Sequence, residues 1–252
     1  MHRLTRQVCF SIAPFLFEDA IFLQLSVELV GNVEPTTGFV VNVADIDSKV
    51  SQFVVPIFAR RLRTSFERGK SIGLFALAEL LRSAWGQLAD KFGTARLTSL
   101  RLKLNPFRDL AIDSKESTMV YFSEKFDFAA GHKLWNDKFS RERNFEIFGK
   151  CANPAGHGHN YVVEVTIEKP ANGGDFCIGD FERIVKEQLI RLLDHKNLNV
   201  DVAEFNKINP TVENIAAFAW NKLVGKFGRA SLHCVTVWET EKTCCSYYGD
   251  GK

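Results

Sequence analysis

The sequence lacks long hydrophobic runs, a strong charge of either sign and a regular cysteine pattern. Charged residues interrupt every apolar stretch before it reaches the ~18 residues of a membrane-spanning helix. The 32 Lys and Arg nearly balance the 30 Asp and Glu, so a net charge of +2 gives no electrostatic reason to expect a nucleic acid or an anionic membrane as partner. Six irregularly spaced cysteines, and a start without a cleavage signal, favour reduced thiols and a cytoplasmic location.

A glycine-rich dinucleotide loop is also absent, so nothing in the sequence points to a redox cofactor. Histidine is scarce in the first half of the chain, where His2 is the only one. A metal site made of histidines can therefore be built only from the second half of the chain.

Three histidines of the second half are spaced so that they could bind one metal ion. His157 and His159 lead into residues 161–168, whose alternating apolar and polar side chains predict a half-buried strand. Side chains two residues apart point to the same side of a strand, so these two imidazoles can share an ion. His132 ends a second predicted strand on its buried face, where a histidine could also be a satisfied core residue. Three histidines with an open fourth position describe a catalytic zinc site.

The chain contains two copies of one pattern. Residues 85–97 match residues 220–232, and residues 42–46 align with residues 180–184 as the starts of two helices. Each copy predicts the order strand, strand, helix, helix, strand, strand. The polar residues 113–117 are the predicted joint, which gives domains at 1–113 and 118–252.

Each copy also has an apolar stripe along its first helix, which predicts ordinary core packing. The stripes consist of Ile46, Val50, Phe53, Val54 and Ile57 in the first copy and of Phe181, Ile184, Val185, Leu189, Leu192 and Leu193 in the second.

The copies differ at the positions that carry chemistry. Leu16, Asp19 and Ile21 align with the three histidines, and Leu104 aligns with Glu239. The second copy also has roughly 22 more residues between its first two strands, including Cys151. The first copy is therefore predicted to be a degenerate repeat without metal-binding or catalytic residues.

Two side chains of the second copy are poorly explained by packing alone. Glu239 alternates with Val235 and Val237 on a face that should be apolar, and a buried carboxylate needs partners such as the N–H groups of a heterocycle. Cys151 lies in a loop rich in Gly, Pro and Asn close to the predicted metal, where a lowered thiol pKa is expected. The alternative for Cys151 is a small buried apolar residue.

Other polar residues of the second copy have a simpler structural explanation. Asp194 and His195 follow the first helix, where a histidine can serve as a cation at the helix end. Asn209 is the predicted N-cap of the second helix, so Thr211 and Glu213 could be helix-start residues and nothing more.

Taken together, the motifs of residues 118–252 resemble the 6-pyruvoyl tetrahydropterin synthase family, within the wider group that contains 6-carboxytetrahydropterin synthase of the queuosine pathway. They are Phe-Ala-Ala-Gly-His132, Asn-Phe-Glu-Ile-Phe-Gly-Lys-Cys151, His157-Gly-His159-Asn-Tyr, Asp194-His195-Lys-Asn-Leu, Pro210-Thr-Val-Glu213-Asn and Trp238-Glu239-Thr. The resemblance implies an α+β chain of two tandem tunnelling-fold units, each with an antiparallel sheet and two helices on one face. It also implies a homo-oligomer with active sites at subunit boundaries.

The resemblance further implies roles for individual residues. It makes His132, His157 and His159 ligands of Zn²⁺, Cys151 the general base, Asp194 and His195 a proton relay, and Glu239, Thr211 and Glu213 the pterin-binding residues. The implied reaction converts 7,8-dihydroneopterin triphosphate to 6-pyruvoyl tetrahydropterin with loss of triphosphate, in tetrahydrobiopterin biosynthesis. The spacing from Cys151 to His157 favours this pyruvoyl enzyme. The family often has Ser at the position of Gly131.

Three alternatives remain open from the sequence. They are a 6-carboxytetrahydropterin synthase, a non-catalytic protein that binds a pterin or a partner, and a structural zinc site with Cys151 as fourth ligand. Basic residues of the inserted loop are candidates for binding the triphosphate, although a solvated loop is favoured for most of them: Lys133, Lys138, Arg141, Arg143 and Lys150. The first copy is predicted to serve assembly and stability, in an oligomer of few chains, with three as the expected number.

Overall fold

The computed structural model describes residues 1–13, 20–70, 72–170 and 176–250. Leu16 and Asp19, which align with two of the histidines, lie outside these ranges. Among the residues within them, no helix combines the length and the apolar character that crossing a membrane requires. The chain divides into two compact units, one formed by Met1–Phe122 with Glu168–Cys177 and one by Ser123–Ile167 with Ile178–Lys252.

The first unit has four antiparallel strands in the order in which they occur in the chain. Its elements are β1 (His2–Ile12), β2 (Ile21–Gly31), α1 (Val43–Lys49), a π-helical segment (Val50–Val54), α2 (Val55–Glu67), α3 (Leu74–Leu88), β3 (Arg96–Asn105) and β4 (Arg108–Asp113). The register places His2 opposite Gly31, and Leu25 of β2 opposite Leu102 of β3. Alternate side chains of β2 form the centre of the core because a strand presents every second residue to one face: Leu23, Leu25, Val27 and Leu29.

The second unit repeats this order with insertions. It contains most of β5 (Met119–His132) and most of β6 (His157–Pro170). Its other elements are α4 (Arg141–Phe148), a 3₁₀ turn (Gly149–Ala152), α5 (Ile178–Val185), a π-helical segment (Lys186–Ile190), α6 (Arg191–Leu193), β7 (Lys196–Asn197), α7 (Leu198–Asp201), a 3₁₀ turn (Ala203–Asn206), α8 (Val212–Leu223), β8 (Ser231–Thr240) and β9 (Thr243–Tyr247). Its long strands follow the order β5, β6, β8, β9, and the short β7 pairs in parallel with Ala130 and Gly131 of β5. The α+β fold class is confirmed.

Several equivalent positions in the helices and the later strands of the two units are 135 residues apart in sequence. This separation holds for the starts of α1 and α5, for both ends of β3 and β8, and for the pair Trp85 and Trp220. Ile46 therefore corresponds to Phe181, and its predicted alignment with Ile184 is wrong by three residues. The repeat domains at 1–113 and 118–252 remain our proposal.

Both helical runs are interrupted by a π-helical segment, which the sequence pattern did not predict. Buried apolar side chains recur every four residues: Ile46, Val50, Val54, Phe58 and Leu62 in the first unit, and Phe181, Val185, Leu189 and Leu193 in the second. An α-helix of about 3.6 residues per turn would rotate such a stripe away from the sheet, and a wider π turn restores its direction. The predicted stripe is therefore wrong at Leu192, which is 40% exposed, while Phe53, Ile57 and Ile184 are only partly buried.

Candidate metal and substrate site

Two strand ends of the second unit bring the three predicted ligand residues together. His132 is the last residue of β5, and His157 and His159 are the first and third residues of β6. The ring centroids of His132 lie 4.5 Å from His157 and 5.2 Å from His159, and the latter two lie 4.7 Å apart. His132 is 2% exposed, so the cluster has one deeply buried member and two at its edge.

The orientation of His132 is set by a backbone group. Its Nδ1 atom lies 2.9 Å from the carbonyl oxygen of Pro210, which can only accept a hydrogen bond. Nδ1 therefore carries the proton, and the lone pair of Nε2 points toward the other histidines. Burial lowers the pKa of both His132 and His157, and the neighbouring histidines lower it further. His132 and His157 therefore favour the neutral imidazole, the form that binds metals.

The buried polar atoms of this cluster fit a metal ion. Nε2 of His132, whose proton is on Nδ1, lies 3.1 Å from Nε2 of His157, so both nitrogens are close enough to bind one ion. Among the described residues, Nδ1 of His157 and Nε2 of His159 are buried without a hydrogen-bond partner. Oε1 of Glu239 lies 3.5 Å from Nε2 of His132 and 3.6 Å from Nε2 of His159.

The possible ligand atoms form two overlapping groups that share His132. One consists of His132, Cys151 and His157, the other of His132, His159 and Glu239, and within each group the atoms lie within 4.8 Å of one another. Imidazole nitrogens together with a thiolate or a carboxylate are the donors that Zn²⁺ prefers.

Cys151 lies at the edge of the histidine cluster, on the 3₁₀ turn before β6. Its Sγ atom is 3.7 Å from Nε2 of His157, and its carbonyl oxygen accepts a hydrogen bond from the N–H of Leu134 at 2.9 Å. Burial raises the pKa of the Cys151 thiol, and the negative charge of Glu239 raises it further. The expected lowering of this pKa is therefore wrong for the chain alone, because the charge that acts on the thiol is a carboxylate.

Asp194 and His195 are fixed against β5, at a different place from Cys151. Oδ1 of Asp194 accepts hydrogen bonds from the N–H of Ala129 at 3.0 Å and from Nδ1 of His195 at 2.9 Å. The bond from Ala129 lowers the pKa of Asp194. The imidazole of His195 is 83% exposed and lines a shallow cavity of about 520 Å³ together with His159. Cys151 is not among the described residues that line this cavity.

The predicted pterin-binding residues occupy three different environments. Glu239 contacts the histidines and is only 20% exposed. Thr211 is the N-cap of α8, where its side chain accepts a hydrogen bond from the N–H of Asn214 at 3.4 Å, so the predicted N-cap at Asn209 is wrong. Glu213 is exposed in the first turn of α8, and after burial its charge is the next cause that raises the pKa of Cys245 on β9. Of these three residues, the structure thus brings Glu239 alone into contact with the histidine cluster.

Two contributors to the site were missed in the sequence. Tyr161 is fully buried, stacks on Phe128 at 4.9 Å, and places its hydroxyl 3.5 Å from Nδ1 of His132. A signal for Tyr161 was available, because it shares the strand face of His157 and His159. The other contributor, Pro210, acts through a backbone oxygen, and no side-chain pattern reveals it.

The comparison with known proteins agrees with this arrangement. Residues 121–250 match the sequence model of the family described as 6-pyruvoyl tetrahydropterin synthase. The chain belongs to the 6-pyruvoyl tetrahydropterin synthase family. The matched residues include the histidine cluster, Cys151 and Glu239.

Relatives in this family include pterin synthases of two kinds. The chain is 38% identical over 131 residues to the human 6-pyruvoyl tetrahydrobiopterin synthase, covering 51% of this chain and 90% of that protein. It is 39% identical over 137 residues to the Dictyostelium discoideum enzyme of that name, covering 53% and 99%. It is 28% identical over 156 residues to the 6-carboxy-5,6,7,8-tetrahydropterin synthase of Aquifex aeolicus, covering 50% and 95%. A solved structure of the Caenorhabditis elegans 6-pyruvoyl tetrahydropterin synthase is 33% identical, with a TM-score of 0.48, covering 52% and 96%.

Proposed function

We propose that this chain is a zinc-dependent 6-pyruvoyl tetrahydropterin synthase. The proposed reaction converts 7,8-dihydroneopterin triphosphate to 6-pyruvoyl tetrahydropterin with elimination of triphosphate, which makes the protein a carbon–oxygen lyase. The observation that carries the proposal is the cluster of His132, His157 and His159, with Cys151 and Glu239 in contact with it. In this proposal the three histidines would hold Zn²⁺, which would supply Lewis-acid activation of the side chain of the substrate.

Glu239 is proposed to hold the pterin ring. Its carboxylate is mostly buried, and a group in that position can accept hydrogen bonds from the N–H groups of a heterocycle. Thr211 is proposed to assist from the start of α8, next to the carbonyl of Pro210 that orients His132. Glu213 is the least supported of the proposed pterin-binding residues, because it is exposed and faces Cys245.

Cys151, as a thiolate, is proposed to take a proton from a side-chain carbon of the substrate. Its thiol lies next to His157 and is partly buried, so a proton received on Sγ is shielded from bulk water. Asp194 is proposed to keep the proton of His195 on Nδ1, which leaves Nε2 free to accept or deliver a second proton. Cys151 is not among the described residues that line the cavity of His195, so we propose that the relay combines groups from two subunits of a homo-oligomer.

Turnover of 7,8-dihydroneopterin triphosphate, followed by mass spectrometry of the pterin product, tests the proposed function. We expect release of triphosphate together with 6-pyruvoyl tetrahydropterin. A 6-carboxy product would favour the second kind of relative, and binding without any product would favour a non-catalytic pterin-binding protein.

A structural zinc site remains a second candidate, because Cys151 is close enough to His157 to serve as a fourth ligand. The Cys151→Ala variant separates the two functions. General acid–base help is worth roughly a hundred- to ten-thousand-fold, so we expect kcat to fall by about that factor with zinc retained. A loss of zinc from this variant would favour the structural site.

Residues 1–113 are proposed to serve assembly and stability. They form helices and strands of the same kind, but Ile21 and Leu104 occupy positions that align with His159 and Glu239. We expect residues 118–252, expressed alone, to be insoluble or misassembled. If that fragment were soluble, monomeric and fully active, the proposed role would be wrong.

A further inference from the structure

The backbone that follows His132 is held by asparagine side chains. Asn199 accepts a hydrogen bond from the N–H of Lys133 at 2.7 Å and donates one to the carbonyl of Lys133 at 2.9 Å. Asn209 accepts a hydrogen bond from the N–H of Trp135 at 2.8 Å. The strand-to-strand hydrogen bonds of β5 end at His132, and these asparagine hydrogen bonds take their place. They therefore fix the backbone conformation at the start of residues 133–138. We call residues 133–138 the polar arm.

A third asparagine continues this pattern from the inserted helix. Asn144 is fully buried, accepts a hydrogen bond from the N–H of Asn136 at 2.8 Å and donates one to its carbonyl at 3.0 Å. The side chain of Asn136 then accepts a hydrogen bond from the N–H of Lys138 at 3.0 Å. The polar arm is therefore positioned along its length before any ligand arrives, which lowers the entropy cost of binding.

The polar arm forms one wall of a cavity of about 810 Å³ that also reaches His132 and His157. The cavity is lined by Lys133 and Lys138 from the arm and by Lys207 from the segment before α8. Asp137 is the acidic residue among the described lining residues, so the ionised side chains of the wall carry a net charge of +2.

The three lysines are available for an anion. Within the described residues none of them makes an ion pair, and the ammonium of Lys133 lies 4.4 Å from the centre of the Trp135 ring. Other cations of the inserted loop are placed differently. Arg143 is paired with Glu146 at 2.6 Å, and the guanidinium of Arg141 lies over the ring of Phe145.

We propose that this cavity is the subsite for the triphosphate chain of the substrate, with Lys133, Lys138 and Lys207 as its binding residues. The inference rests on the proposed function. His132 belongs to both groups of possible metal ligands. His132 and His157 line the cavity, whereas Glu239 contacts the histidine cluster but is not among the described residues that line the cavity. A pterin at Glu239 and a phosphate chain at the lysines would thus occupy different sides of the histidines. The volume is within the range of about 300–1,000 Å³ of small-molecule sites.

Calorimetric titration with two probes, neopterin triphosphate and neopterin, isolates the contribution of the phosphates. We expect the full-length protein to bind the triphosphate more tightly, and we expect this advantage to shrink with added salt. Lys133→Gln and Lys207→Gln should each weaken binding of neopterin triphosphate by about three- to fivefold, the range that exposed ion pairs support, and leave neopterin unchanged. Asp137→Asn should strengthen binding of the triphosphate.

Lys226→Gln is the control, because it removes a lysine that is exposed, as Lys207 is, and that is absent from the cavity wall. All variants are compared at equal metal content, since a triphosphate can also contact a metal ion. Equal affinity of the wild type for both probes, or an unchanged ratio in both lysine variants, would overturn the subsite. If the lysines govern probe binding but dihydroneopterin triphosphate is not turned over, the subsite stands and the proposed function fails. If dihydroneopterin triphosphate is turned over but the lysine variants bind the probes as the wild type does, the proposed function stands and the subsite fails.

Discussion

The carbonyl oxygen of Pro210 lies 2.9 Å from Nδ1 of His132 and thereby decides which nitrogen of that imidazole can bind a metal. The contact joins the end of β5 to the residues before α8, so a backbone atom distant in sequence orients the most buried histidine. An oxygen of this kind cannot be removed by substitution of its own side chain. The metal-binding prediction is therefore best tested on the histidines themselves.

Metal analysis of the purified chain should find one zinc per chain, bound in the second unit. His132→Ala and His157→Ala should each lose most of the metal, because the buried nitrogens without partners lie in this cluster. His233→Ala is the matched control, since His233 lies on β8 and belongs to neither group of possible ligands. Two zinc ions per chain would contradict the prediction.

Replacement of Glu239 should separate binding from stability. Glu239→Gln keeps the size of the side chain but directs a donor at the N–H donors of a pterin, so KM should rise strongly. Glu239→Leu copies Leu104 and should be inactive yet at least as stable, because it removes a largely buried carboxylate. Steady-state kinetics and the thermal midpoint report the two effects. An unchanged KM and kcat in Glu239→Gln would remove this residue from the site.

The π-helical segment predicts unequal costs for two neighbouring leucines. Leu189→Ala should destabilise the second unit by about 2–5 kcal/mol, because Leu189 is fully buried and its loss leaves a cavity. Leu192→Ala should cost less than about 1 kcal/mol, since Leu192 is 40% exposed. Chemical denaturation followed by circular dichroism measures both. Equal costs would mean that the helix does not have this π turn in solution.

Two inactive variants should restore activity when they assemble together. If Cys151 and the pair Asp194 and His195 act from different subunits, mixed oligomers of Cys151→Ala and His195→Ala contain some sites with both groups intact. Co-expression with different affinity tags, followed by tandem purification, yields such oligomers. Activity well above that of either parent is expected, and its absence would place both groups in a site within one subunit. The control is a mixture of the two separately purified variants under conditions in which their subunits do not exchange.

The sequence was sufficient to predict the histidine cluster, because strands have a side-chain period of two and the ligand residues lie at strand ends. It could not predict the π turns, since local widening of a helix leaves no mark in an apolar pattern that already repeats at three or four residues. The N-cap at Thr211 was missed because Asn209 is an equally good cap by residue type, and its side chain instead binds Trp135. The pKa of Cys151 depends on burial and on Glu239, and both are set by the tertiary structure.

The π-helical segment at Lys186–Ile190 also sets the angle at which the chain leaves the helix. Each residue of an α-helix turns the chain by about 100° and each residue of a π turn by less, so a regular helix with the same number of residues would rotate the residues after it around the helix axis. Asp194 would then point away from the N–H of Ala129, and His195 would leave the cavity that it shares with His159. The π turn, which contains none of the side chains of the proposed proton relay, thus determines the direction in which that relay points.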